Sequence, residues 1–347
     1  MAAQTSGYRP SQLRQEVLRI YTWEEFFAPN VIASFEKALG VKVVLDTFDS
    51  NEAMFEKLKS SPCGYDIITP SSYIISSLAK AGLIAKLNHR HLPNVRKNLD
   101  RHILPLLIDP RLTYNVPYTL NYTGIHYDRN RLPEGADPKS FDILGHPKLG
   151  GRTALFNDMR EMIGAGLMHL GYSINSLNPE EIDQAADQII RWKRLAKRFD
   201  DAFYADDVSS GKIPVAMSYS YLAIQAICQA NAATNQTGGV AQAFTLPRTG
   251  GYSLSVDEFV IGADSKNPKL AHAFINFIYD ADVACSSIES RYNAMPVRPA
   301  MEKLNPQLRQ LITLTPEQFK RGQVIMSLGS KADQLYERAW KRIQAAK

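Results

Sequence analysis

Val17-Leu18-Arg19-Ile20-Tyr21-Thr22-Trp23 is an apolar, β-prone run, and the order of the elements after it decides the fold. Asn30 can cap a helix through Leu39, Gly40 stops it, and Val41 to Phe48 reads as a second strand. The alternation repeats. Ser50 or Asn51 caps a helix through Lys59, Tyr65 to Thr69 is a short buried strand, and Ser71 or Ser72 caps a helix to Ala81, where Gly82 can end it. The order βαβαβ implies a parallel sheet with right-handed crossovers. Ligands of such sheets sit beyond the carboxyl ends of the strands. Those ends are Trp23-Glu24-Glu25-Phe26, Asp49-Ser50-Asn51 and Pro70-Ser71-Ser72-Tyr73, and none contains a G-x-G-x-x-G or Walker loop, so the sheet does not advertise a nucleotide site.

Beyond Asn121 a second alternation begins. Thr123 to Tyr127, Arg152 to Phe156 and Pro214 to Ser218 read as strands; Asp158 to Leu170, Pro179 to Phe199 and Tyr221 to Ala230 read as helices. Gly251 to Ala263 alternates Ser253, Ser255 and Asp257 against Leu254 and Val256, which is strand periodicity with one polar face. Pro268 to Ile278 forms a helix, and Pro316 to Lys347 is mostly helical. The expectation is two α/β lobes, 16–120 with 257–299 and 121–256 with 300–347, behind a tail over 1–15, with strand ends and acids around one cleft.

Composition narrows the class. The 347 residues, 45% hydrophobic and 22% charged, are those of a soluble globular protein of two domains. A net charge of +5 without a Lys/Arg block does not indicate a nucleic-acid binder. Cys63, Cys228 and Cys285 have no metal-ligand spacing and can form at most one disulfide. No window approaches the ~18 apolar residues of a membrane span. Met1 to Pro10 lacks the apolar core of a signal peptide, which fits a cytoplasmic chain or one whose export signal has been removed.

Against this basic background, Asp158 and Glu161 stand three residues apart where a helix opens, and Asp257 ends a strand. Together they make a cage for a cation. Each has a plainer reading: Asp158 would stabilise a helix dipole in any protein, Trp23 could be core, and Ser71 and Ser72 serve equally as caps. Trp192 and Trp340 read as helix packing. No G-x-S-x-G, H-E-x-x-H, C-x-x-C or P-loop appears, so catalysis has no constellation to rest on, and no cofactor or structural metal is expected. His89 and His91 flank Arg90, which opposes a bound cation; a solvated loop is the reading there.

Six stretches carry a resemblance: Ile20 to Phe26, Asp49 to Met54, Tyr65 to Tyr73, Val116-Pro117-Tyr118, Asn157-Asp158-Met159-Arg160-Glu161, and Ser255-Val256-Asp257. From about Leu18 to the C-terminus the chain resembles the periplasmic spermidine/putrescine-binding (PotD/PotF-type) proteins of bacterial polyamine ABC importers. The resemblance implies a two-lobed type II periplasmic binding fold, each lobe a mainly parallel sheet flanked by helices, which closes on its ligand in the interlobe cleft. It implies a monomer without enzymatic activity, exported to the periplasm or lipid-anchored at the outer face of the inner membrane, that hands putrescine or spermidine to a permease.

Residue by residue, Asp158, Glu161 and Asp257 match the family's ammonium-binding acids, and Trp23, Ser71, Tyr73 and Tyr292 match positions lining its ligand tunnel. The chemistry is coherent on its own, since a polyamine needs anionic acceptors at its ends and a flat apolar wall between them. Departures concern the wall: Ser218 and Ser255 stand where the family has tryptophans, Phe26 replaces a tyrosine, and Glu24 replaces a small polar residue. Tyr219 or Tyr122 can restore part of the shelf, and an inward Glu24 would be a fourth acid. A family glutamine has no clear match around Gln323 to Met326. Hinges are expected near Tyr118 to Tyr122 and Ser253 to Glu258. The competing readings are a carrier of ferric ion on the same fold, from Tyr219 and Tyr221, or of another cationic solute, and a sensory or adhesive surface protein that binds polyamine without transporting it.

Overall fold

The computed structural model describes residues 16–60, 62–199, 204–234 and 241–346; the expected tail over 1–15 lies outside them. In chain order, the first half contains β1 Val17–Trp23, α1 Pro29–Leu39, β2 Lys42–Phe48, α2 Asn51–Ser60, β3 Ile67–Ile68, α3 Ile75–Lys80, β4 Ile84–Ala85, α4 Pro93–Asn98, β5 Asn115–Asp128, β6 Thr153–Leu155 and α5 Met159–His169. There follow α6 Pro179–Leu195, β7 Arg198–Phe199, α7 Tyr204–Ser209, β8 Val215–Tyr219, α8 Ser220–Thr234, β9 Gln242–Thr245 and β10 Tyr252–Gly262. The chain ends with α9 Pro268–Ile278, α10 Ala281–Arg291, α11 Arg298–Lys303, α12 Pro306–Ile312, α13 Pro316–Arg321, β11 Gly322–Val324 and α14 Ser330–Ala345.

The chain packs as two compact units. Unit 1 holds the described residues up to Leu120 together with Val256–Gln310; unit 2 holds Asn121–Ser255 and the residues from Leu311 onward. Residues 300–310, expected with the second lobe, cluster with unit 1, because α11 packs on α10 and Leu304 and Leu308 are buried there.

In unit 1, β1 lies between β2 and β3 and is parallel to both, as βαβαβ requires. The second half of β10 then pairs antiparallel with β3 and β4. Gly40 ends α1 in the left-handed region (φ 67°), with its N–H donating to Glu36 O. The start of α1 differs from expectation. Pro29 takes the first helical position, Ala28 occupies the cap without a side-chain bond, and Asn30 Nδ2 instead donates to Ser286 Oγ at 2.8 Å. Ser50 does cap α2, accepting from the Ala53 N–H at 3.2 Å. Aromatic rings fill the core, where Tyr118 packs on Phe259 at 4.5 Å between centroids and Phe35 on Phe274 at 4.9 Å.

In unit 2, β5 pairs antiparallel with β8 and β9, and β6 is parallel to β8 and β7. The expected long helix to Phe199 stops at Leu195, leaving Arg198–Phe199 as a strand. The tail, expected to be mostly helical, is so in α13 and α14, and between them holds the short β11, which is parallel to the start of β10. Gly250 (φ 75°) and Gly251 (φ 97°) lead into β10; a Cβ would sit 1.6 Å from Met168 O at the first and 2.5 Å from Arg321 O at the second. This close passage fixes β10 against the helix that carries Glu161. The core gathers Phe141, Leu144, Phe156, Met162, Ile189 and Trp192, so Trp192 is packing, as is Trp340 against Phe199 at 5.4 Å.

Candidate functional site

Unit 1 builds its acid from three segments. After β3 the chain reaches Ser71 in extended conformation, where it forms an isolated antiparallel bridge with Asp257. Ser71 makes no capping bond; its hydroxyl donates to Asp257 Oδ1 at 2.8 Å, so of its two expected roles the helix cap is lost. Thr119 on β5 donates to Asp257 Oδ2 at 3.2 Å, and Asn51 Oδ1 holds the Ser71 N–H at 3.0 Å. Asp257 is only 7% exposed. Burial pushes its carboxyl up to about 6, against the two hydroxyls that favour the charged form.

Unit 2 builds its acids on one helix end. Asp158 lies just outside α5 as its N-cap and accepts from the Glu161 N–H at 2.9 Å, whereas the sequence placed it inside the first turn. Glu161 receives Ser253 Oγ on Oε1 at 2.8 Å and Thr123 Oγ1 on Oε2 at 2.9 Å. It is 5% exposed, and burial followed by the Asp158 charge raises it to about 7, opposed by the hydroxyls and by Arg160. The Arg160 guanidinium lies 4.7 Å over the Tyr336 ring and donates to Met326 O and Asn175 Oδ1, both at 3.1 Å.

The aromatic candidates fall on both units. In unit 1 the half-buried Trp23 meets Phe48 edge-on at 4.5 Å, and its Nε1 is buried without a hydrogen-bond partner. Phe26 packs edge-on against Tyr118 at 5.1 Å, and Tyr73 donates its hydroxyl to Glu52 Oε1 at 3.0 Å. Tyr292 closes α10 in the left-handed region (φ 59°) and is half-buried. Glu24 is exposed and takes no hydrogen bond from the other candidates among the described residues, so it does not join Asp257.

In unit 2 Phe156, Tyr219 and Tyr221 form a ladder of stacked rings, 4.7 Å and 6.3 Å between successive centroids. Ser218 is fully buried and donates to Tyr219 O, while the half-buried Tyr219 presents its ring to Phe156. Tyr122 is core rather than shelf, 3% exposed with its hydroxyl donating to Ile312 O at 2.8 Å. Ser255 reaches Asn121 O at 3.5 Å, and Gln323 is engaged with the Ile174 N–H and Gly250 O.

The sequence reading missed Thr119 and Thr123 as donors. They sit four residues apart on β5, as Ser253 and Asp257 do on β10, and an even spacing puts each pair on one strand face. Among the described residues no three His, Cys, Asp or Glu side chains are grouped to hold a metal ion, and no disulfide joins the three cysteines. No helix of the described residues is long and apolar enough to cross a membrane.

Comparison with known proteins gives the family and the fold. The putrescine-binding periplasmic protein PotF of Escherichia coli (strain K12) is 30% identical over 347 residues, covering 96% of this chain and 92% of that protein. The spermidine/putrescine-binding periplasmic protein of the same organism is 30% identical, covering 95% and 92%. The crystal structure of the TpPotD lipoprotein of Treponema pallidum superposes with a TM-score of 0.82 at 28% identity, covering 94% of this chain and 99% of that one. The fold is that of these two-lobed substrate-binding proteins. The family described as bacterial extracellular solute-binding protein matches residues 30–312, and this chain belongs to it.

Proposed function

We propose that the chain is an extracytoplasmic binding protein that captures a polyamine, putrescine or spermidine, and delivers it to the permease of an ABC importer. The observation that carries this reading is the pair of buried acid stations, Asp257 in unit 1 and Glu161 with Asp158 in unit 2. They occur in a chain about 30% identical to proteins named for putrescine and spermidine. Each buried carboxylate has both oxygens held by hydroxyl donors from its own unit, which orients it and leaves its charge to be satisfied by a cation. A charge-assisted N–H to carboxylate bond is worth about 1.5–3 kcal/mol. Trp23, Phe26, Tyr73, Tyr219 and Tyr292 are the proposed aromatic contacts, with Ser71 and Ser255 as polar ones; an ammonium over a ring adds about 0.5–2 kcal/mol. Glu24, exposed, is the weakest member of the proposed set.

The reading includes no enzymatic step and no cofactor. Working as a monomer in the periplasm, or lipid-anchored there as the Treponema relative named a lipoprotein is, belongs to the same proposal. The test is calorimetric titration of refolded, ligand-stripped protein with putrescine, cadaverine, spermidine and spermine, and with ferric citrate as control. Stripping matters because carried cargo masks both heat and stabilisation. Micromolar or tighter binding of an amine supports the reading. A ferric signal without any amine binding overturns it in favour of the tyrosine pair.

A further inference from the structure

Strand β10 carries two acids in succession, and side-chain alternation sends them to opposite faces. The segment it crosses carries two serines in succession. Ser71 serves Asp257, and beside it the Glu258 N–H donates to Pro70 O at 2.9 Å. Glu258 is 0% exposed. Asn115 on β5 donates its Nδ2 to Glu258 Oε2. The other two oxygens of this contact, Asn115 Oδ1 and Glu258 Oε1, are both buried and neither has a partner. The charged neighbours acting on Glu258 are Asp109 and Asp257, with the Tyr279 phenol also against it; no Lys or Arg among the described residues offsets them. A carboxylate here would be a buried charge with the Asp109 and Asp257 charges acting on it and no cation to offset them. One proton on Oε1 removes the charge and gives Asn115 Oδ1 the donor it lacks.

We infer that Glu258 is held as the neutral acid in a two-point pair with Asn115, and that this pair is the positioning element that keeps the Ser71–Asp257 station in register. The claim about binding rests on the polyamine reading; the claim about the proton does not. Burial pushes the Glu258 carboxyl up to about 8, opposed by the Ser72 hydroxyl and helped by the Asp109 and Asp257 charges. Above that pH the proton leaves, the pair becomes a buried anion beside an amide, and the strand must shift or admit water. Asp257 is the next residue on that strand and moves with it. Asp257 is mostly ionised at pH 7 and Glu161 about half so, and the rest of Glu161 ionising above pH 7 can only strengthen the hold on a cation, so an alkaline loss of binding isolates Glu258.

The experiment compares wild type, E258Q and E258A as full-length, ligand-stripped protein, by infrared spectroscopy without ligand and by titration with putrescine from pH 7 to pH 9. A protonated-carboxyl component that fades with a midpoint near 8 is expected in wild type and is missing from E258Q, which keeps only the component of Glu161 and Asp257 that fades at lower pH. Wild-type putrescine affinity should fall about tenfold between pH 7 and 9, when about nine-tenths of Glu258 is ionised. E258Q, which keeps a neutral two-point partner for Asn115, should bind like wild type at pH 7 and lack that fall; E258A should bind more weakly at both. The inference is overturned if no such component distinguishes wild type from E258Q or if E258Q and wild type fall alike. If putrescine does not bind even to wild type, the polyamine reading fails, and the infrared band alone decides the state of Glu258. If E258A does not fold, E258Q carries the comparison.

Discussion

Unit 1 and unit 2 each bury one carboxylate beneath two hydroxyls, yet they hold their charge differently. Asp257 sits on a strand and is braced by Ser71 and Thr119, with a second acid, Glu258, behind it on the opposite face. Glu161 sits in the first turn of a helix, braced by Ser253 and Thr123, with Asp158 beside it as the cap and Arg160 next in sequence. Burial raises both carboxyls by a similar amount, Glu161 to about 7 and Asp257 to about 6, and at Glu161 the Asp158 charge adds to the rise. Under the proposed function a single ammonium would neutralise the strand station, whereas the helix station has two acids, Glu161 and Asp158. The lesson is that one hydroxyl-braced motif is tuned by what lies behind it, a neutralised acid in one unit and a second negative charge in the other.

Removing both charges is the strongest way to break the comparison. The double variant D257N/E161Q is expected to weaken putrescine binding by about 3–6 kcal/mol, the sum of two independent losses, or roughly a hundredfold to more than ten-thousandfold. Circular dichroism should show it folded, since neither amide leaves a buried charge.

Acid pH comes next. A bound ammonium favours the ionised acids, so protons compete with it. Affinity should drop about a hundred- to a thousandfold from pH 7.5 to pH 5, as first Glu161 and then Asp257 takes up a proton. Near pH 6.5 binding should release protons, read by calorimetry in buffers of differing ionisation heat. Stability runs the other way. These groups hold their protons more tightly folded than unfolded, so their contribution is full below the ordinary carboxylate range and is lost as pH rises through about 6 for Asp257 and about 7 for Glu161.

Single variants sharpen the contrast. D257N or E161Q alone should cost about 1.5–3 kcal/mol, ten- to more than a hundredfold in affinity. D158N should cost less, because Asn is as good a cap as Asp, the charge removed is exposed, and its loss eases the ionisation of Glu161. Smaller still is the ring ladder of unit 2. Y219A is expected to lose about 0.5–2 kcal/mol of binding, roughly two- to thirtyfold, measured with putrescine and spermidine to see whether chain length changes the loss.

The sequence made the βαβαβ order of unit 1 legible because each strand there is followed by its own punctuation, Gly40 after α1, Ser50 before α2 and Gly82 after α3. It could not show β9 or β11, which are three or four residues long and exist because β5 and β10 lie beside them. Asn30 reads as a cap locally, but Pro29 takes the first helical position and the amide goes to Ser286, far along the chain.

The acids of the site were legible as charges out of keeping with a basic chain. Their hydroxyl braces were not, since Ser and Thr reveal a role only once strand register is known. Ser218 and Tyr219 show how sharp that dependence is: on a strand, one position exchanges the two faces, so Ser218 is buried while Tyr219 stacks on Phe156. Glu258 enters the sequence reading only as the end of an expected hinge, and its burial against Asn115 shows only once β10 is in place.

The most direct test of the account is titration of ligand-stripped wild type, D257N and E161Q with putrescine side by side at pH 7.5. The account predicts micromolar or tighter binding by wild type and a loss of ten- to a hundredfold or more in each variant, one for each station, by the charge-assisted bond that each removes. Unchanged affinity in either variant, with putrescine still bound to wild type, would contradict it and leave that unit's acid a structural group.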